Sequence, residues 1–179
     1  MTMPEVEGAL KVIRRAIQNE IAGQRFYNDA SFHCIDPWAK DVFSSIAREE
    51  EQHTQLLLVE YKALETRGEW VEPEKALKSG SEVDITSFTF SDDQPAGDLF
   101  PSQASMGIAV DRQADDLAAL AFGIRMEQEA IALYDGERAA MQDPAAQQAY
   151  SFLVEEETRH YHQLKEQWEM MSGSLFPQT

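Results

Sequence analysis

Cysteine is nearly absent, with Cys34 the one thiol among 179 residues. An intramolecular disulfide framework is thereby excluded, and so is a four-cysteine iron or iron–sulfur site within the chain. Electrons for any redox chemistry must come from another molecule. Basic residues are scarce too, 15 Lys and Arg against 32 Asp and Glu, which leaves a formal net charge of -17. Such a surface repels phosphate backbones and anionic lipid, so nucleic acid and membrane surfaces are not expected partners. No stretch approaches the roughly 20 apolar residues that span a bilayer, and MTMPEVEGAL at the start has no basic region followed by an apolar run. A soluble cytoplasmic protein is the expectation, folded as one domain over residues 1–179.

Against these absences stands a repeat. Glu20, Glu50 and His53 return as Glu127, Glu157 and His160, each 107 positions later. Leu10, Ile17, Tyr27, Asp36, Pro37, Ser44, Glu49 and Leu57 return at the same offset, without a gap, as Leu117, Ile124, Tyr134, Asp143, Pro144, Ser151, Glu156 and Leu164. Leu10, Ile13, Ile17, Glu20, Gln24 and Tyr27 fall at three- and four-residue steps, a helical stripe that carries Glu20 on its core side. Asp36 followed by Pro37 reads as an N-cap and first helical position, opening a second helix that runs towards Gly68. Asp143-Pro144 opens the matching helix in the second copy, which runs to about Met171 before Gly173.

Two helical hairpins result, about 5–66 and about 113–172, joined by a long connection over about 67–112 that contains Pro73, Gly80, Pro95, Gly97, Pro101 and Gly107. The fold expected is all-α, an antiparallel four-helix bundle with one crossover. A connection this long either spans the bundle or exchanges hairpins between subunits, so a homodimer, hairpin-swapped or not, is expected. Within it, Val83 to Phe90 alternates as extended chain does, and Lys75 to Lys78 suits a helical turn.

Positions three apart on a helix project to one side, so Glu50 with His53, and Glu157 with His160, can reach the same point. With Glu20 and Glu127 they make four carboxylates and two imidazoles, one ligand group from each of four helices, as in dinuclear carboxylate sites. Two iron ions are the expected cofactor, and manganese or a mixed pair suits the same donors. Glu49 and Glu156 precede the ligand glutamates and are placed to orient His160 and His53 across the bundle. Tyr27 and Tyr134 lie seven residues beyond Glu20 and Glu127, where their hydroxyls can bond those carboxylates or lie beside the metals. His162 is expected on the surface, His33 and Cys34 carry no ligand spacing, and Met126, Met141, Met170 and Met171 read as packing residues.

The segments AIQNEIAGQRFY, REEEQH, GIRMEQEAIALY and EEETRH resemble the rubrerythrin and ferritin-like family of di-iron carboxylate proteins. The resemblance covers both hairpins and implies a ferritin-like bundle. It implies Glu50 and Glu157 as bridging carboxylates, Glu20 and Glu127 as terminal ones, and His53 and His160 as one imidazole on each metal. Ala130 stands where typical rubrerythrins have an additional glutamate, so the six-ligand set is more similar to that of bacterioferritin. A rubredoxin domain is absent from the chain, and the sequence stops too soon after the last helix for the short fifth helix of cage-forming relatives. The implied activity is reduction of hydrogen peroxide or dioxygen, with an external electron donor such as a rubredoxin-like carrier. The alternatives are a ferroxidase that handles iron and a bundle that binds metal structurally without turnover.

Overall fold

The computed structural model describes residues 3–79 and 114–177. Among the described residues five helices form in this order: α1 Met3–His33, α2 Pro37–Arg67, α3 Pro73–Ser79, α4 Ala114–Ala140 and α5 Pro144–Ser172. No strand occurs among the described residues. The extended stretch expected at Val83 to Phe90 and most of the crossover lie outside them. The turn expected at Lys75 to Lys78 is there, inside α3.

The helix ends follow from the residues that punctuate them. The Asp36 carboxylate accepts from the Ala39 N–H at 2.8 Å, and the Asp143 carboxylate accepts from Ala145 N–H at 2.8 Å, each holding a backbone donor that the first turn cannot satisfy. Pro37 and Pro144 fill the first helical positions, where the missing N–H costs nothing. Gly68 and Gly173 end α2 and α5 at φ 68° and 66°, and their N–H groups donate to Leu64 O and Glu169 O. A residue with a Cβ is strained there.

The two hairpins, α1 with α2 and α4 with α5, pack face to face. Side-chain pairs between them fix the directions: Tyr27 reaches Glu127 and Tyr134 reaches Glu20, so α1 and α4 are antiparallel. Glu49 reaches His160 and His53 approaches Glu156, so α2 and α5 are antiparallel as well. With α2 antiparallel to α1, helices α2 and α4 run the same way. The end of α2 and the start of α4 therefore lie a helix length apart, about 45 Å for 31 residues.

Apolar residues gather in two clusters with a charged layer between. One joins Ile13 and Ile17 to Leu56, Leu57, Tyr134, Tyr150 and Leu153. The other joins Phe26 and Tyr27 to Phe43, Ile46, Leu120, Ile124 and Leu164. Gly123 lets α4 approach the second cluster closely, since a Cβ there would lie 3.1 Å from Leu164 and 3.2 Å from Tyr27. Met126 packs inside as expected, whereas Met170 is 65% exposed. It lies near the end of α5, where the other helices no longer cover that face.

One buried charge stands apart from the central layer. Glu60 on α2 is fully buried; its Oε2 accepts from the Val71 N–H at 2.9 Å, and its Oε1 has no partner among the described residues. Burial pushes it up to about 7, with Asp143 adding to the rise and the Val71 N–H opposing it. Its mate in the repeat is Gln167, which donates to Asp36 Oδ1 at 3.1 Å. A carboxyl whose folded value lies above 4.5 binds its proton more tightly in the folded state, so its contribution is full at low pH and lost as pH rises through 7. Glu60→Gln should therefore flatten the fall in stability between about pH 5 and 8 and make the protein about 1–3 kcal/mol more stable than the parent at the upper end. Urea unfolding across this range checks it; an unchanged slope would show that Glu60 ionises freely in the folded chain.

Candidate metal centre

The six residues singled out by the repeat converge at mid-bundle. Glu20, Glu50, His53, Glu127, Glu157 and His160 are each at most 3% exposed. Their ligand atoms form two groups, Glu20–Glu50–His53–Glu157 and Glu50–Glu127–Glu157–His160, and within each group the atoms lie within 4.8 Å of one another. Glu50 and Glu157 belong to both. Exposure of Arg48, Glu51, Glu155 and His162 on the outer faces of α2 and α5 shows how the same helices turn their other charges to water.

Both imidazoles point the same nitrogen inward. His53 Nδ1 is 3.1 Å from Glu20 Oε2 and 3.4 Å from Glu157 Oε1; His160 Nδ1 is 3.1 Å from Glu157 Oε2 and 3.4 Å from Glu50 Oε1. The other nitrogen faces out. His160 Nε2 is 2.9 Å from Glu49 Oε2, and His53 Nε2 is 3.7 Å from Glu156 Oε2, an ion-pair approach rather than a hydrogen bond. A carboxylate behind an imidazole fixes its tautomer and its orientation. The pairing of Glu49 with His160 and of Glu156 with His53 is the one expected from the repeat.

Two features were not visible in the sequence alone. Arg159 lies over the outer pair, with Nη1 2.9 Å from Glu49 Oε2 and Nη2 bonded to Glu156. It replaces Gln52 of the first repeat, and that break in the symmetry was the available signal. The tyrosines also cross over: Tyr27 donates to Glu127 and Tyr134 to Glu20, each serving the carboxylate of the other hairpin. Seven residues advance a helix by about 10 Å, too far for a tyrosine to turn back to its own glutamate, while the antiparallel neighbour presents the other one at the same height. His33 and Asp29 form an exposed pair at the end of α1. Burial pushes the partly covered Cys34 thiol up to about 12, so it stays protonated and outside the centre.

The electrostatics of the site follow from burial and from the crowding of charge. Burial lifts Glu20 and Glu127 well above the ordinary carboxylate range, and Glu50 and Glu157 lift them further. Burial works to raise Glu157 and Glu50 as well, but bonds from His160 and His53 outweigh it and hold both below the ordinary value. Burial depresses the imidazoles, yet the glutamates around them prevail, so His53 is raised and His160 is held at about 12. Two carboxylate oxygens, Glu127 Oε2 and Glu157 Oε1, are buried with no hydrogen-bond partner among the described residues. An orphaned acceptor out of water is costly, and a divalent cation satisfies it. Mixed oxygen and imidazole donors of this number fit two iron or manganese ions.

The chain was compared with protein-family models, curated proteins and solved structures, and it matches none of them. Because the imidazoles hold protons at neutral pH, loading ferrous or manganous ion should release two or more protons per chain and bind more tightly as pH rises; a pH indicator in weak buffer reads this, and loading without release would contradict the charge states above. Glu49→Gln should keep the fold but weaken metal binding roughly 10–100-fold, measured by chelator competition. Equal affinity would mean that Glu49 does not orient His160.

Proposed function

We propose that the chamber holds two iron ions and that the protein is a non-haem oxidoreductase of rubrerythrin type, reducing hydrogen peroxide or dioxygen with electrons from an external donor. The observation that carries this reading is the pair of four-residue ligand groups sharing Glu50 and Glu157. Glu50 and Glu157 would serve both ions, with Glu20 and His53 completing the set for one and Glu127 and His160 for the other. When bound, a ferrous pair supplies two one-electron equivalents and adjacent Lewis acids.

The chain's own residues set the conditions for that chemistry. Glu49 and Glu156 hold the outer imidazole nitrogens so that both Nδ1 atoms face the chamber. Tyr27 and Tyr134 each occupy one oxygen of a terminal carboxylate with a donated O–H, which fixes the direction in which the remaining oxygen points. Apolar plugs on both sides keep bulk water out, so charges inside act at full strength. With Cys34 the one thiol in the chain, electrons return from a separate carrier.

A second reading, iron oxidation for storage or delivery, is favoured by the net charge of -17, since an acidic surface attracts ferrous ion. Anaerobic protein loaded with ferrous ion and mixed with peroxide should oxidise far faster than free ferrous ion, with one peroxide consumed per two ferrous ions. Oxidation no faster than in buffer would refute the proposal. Uptake continuing well past two ions per chain would transfer the case to storage, and a Glu50→Ala chain that unfolds with no activity to lose would transfer it to a structural metal.

A further inference from the structure

Five of the seven large apolar side chains exposed among the described residues gather at one end of the bundle. They are Phe32, Ile35 and Trp38 around the α1–α2 turn, and Met170 and Leu175 at the close of α5, all between 54% and 84% exposed. Two contacts set the close of α5 beside that turn. Gln167 donates to Asp36 Oδ1 at 3.1 Å, and Phe176 buries in the same apolar cluster as Ala39 and Phe43, which leaves its neighbour Leu175 outside. The other two, Met3 and Leu77, belong to the opposite end, at the start of α1 and in α3.

The hairpin does not need large apolar groups at its turn. In the second repeat the positions of Phe32, Ile35 and Trp38 are held by Ala139, Gln142 and Ala145, and the same Asp-Pro start to a helix forms there with the same kind of cap. What sets the first turn apart therefore answers to something outside the hairpin. Its backbone is also fixed in advance. Asp116, in the first turn of α4, accepts from the Ile35 N–H at 3.1 Å and from the Asp36 N–H at 2.9 Å. A patch held in place before it is covered loses little freedom on binding.

Size and charge select the occupant. At about 200 Å² for each large side chain, the five offer roughly 700 Å², more than the apolar patch of an ordinary monomer and close to the ~800 Å² that each partner gives to a stable interface. The rim carries both signs, with exposed Lys40 beside exposed Asp41 and His33 paired with Asp29. A partner of one sign is repelled by part of that rim, whereas an identical rim turned by a two-fold axis can oppose Lys40 to Asp41 and lay apolar patch on apolar patch. We infer that this end of the bundle is the face on which two copies of the chain meet, end to end, with Phe32, Ile35 and Trp38 at the centre of the contact. The opposing force is the repulsion of two chains of formal charge -17, which salt screens and apolar burial does not feel.

Sedimentation equilibrium of the full chain at micromolar concentrations should show a reversible dimer that tightens as salt is added. Small-angle X-ray scattering should give a particle about 90 Å long, two helix lengths, and hydroxyl-radical labelling of Trp38 should fall as the dimer fills. The triple change Phe32→Ala, Ile35→Gln, Trp38→Ala installs the residues that the second turn already carries. It should keep the helical circular dichroism and weaken the dimer roughly 100-fold or more. A dimer of unchanged strength in that variant would mean that the copies meet elsewhere, hairpin exchange included, and would overturn the inference. A monomer at every concentration would overturn it too, whether Trp38 stays open to labelling for a different partner or is protected by the chain's own crossover.

Discussion

Four carboxylates share a dry layer between two apolar clusters, and most of the structure answers to that crowding. Glu50 and Glu157 face each other across α2 and α5, with Glu20 and Glu127 beside them, and they add to the cost that burial sets on ionising Glu20 and Glu127. Left alone, such a layer would open to water. Two protonated imidazoles inside the layer and two tyrosine hydroxyls at its edges are the protein's own compensation. Two divalent cations are a more complete one, and they would displace the imidazole protons as they enter. Glu127 and Glu157, each with one carboxylate oxygen lacking a hydrogen-bond partner among the described residues, belong to the groups of ligand atoms spaced so that they could hold a metal ion.

The repeat explains why the compensation is symmetric, and its breaks mark where the two halves differ in side-chain chemistry. Arg159 in place of Gln52 ties Glu49 and Glu156 together on the outer side of the imidazoles. Tyr150 in place of Phe43 extends one tyrosine towards Trp70. Glu60 in place of Gln167 puts an ionisable group where its mate is neutral. Each change leaves the backbone of the repeat intact and alters only what a side chain can donate, accept or release.

Helix ends, the hairpins and the six central residues were legible in the sequence because each depends on local spacing: a cap, a proline, or a glutamate and histidine one turn apart. The pairing of Glu49 with His160 was legible too, since exact repetition implies that each hairpin supports the other. The partners of Tyr27 and Tyr134 were not, because they depend on the relative direction of α1 and α4, which no local pattern contains. Arg159 is not singled out by local spacing, because its place over Glu49 and Glu156 arises from packing between segments far apart in the chain, as does the choice of Nδ1 over Nε2. Met170 misled for the reverse reason: a helical position that would be covered at mid-bundle is bare near the end of α5.

Diffraction at the iron absorption edge, from crystals grown anaerobically with ferrous ion, locates the metals. Two anomalous peaks should appear at mid-bundle, one among Glu20, Glu50, His53 and Glu157 and the other among Glu50, Glu127, Glu157 and His160, with both His Nδ1 atoms turned to them. A single peak, or peaks confined to surface carboxylates with the central layer free of metal, would contradict a two-iron centre.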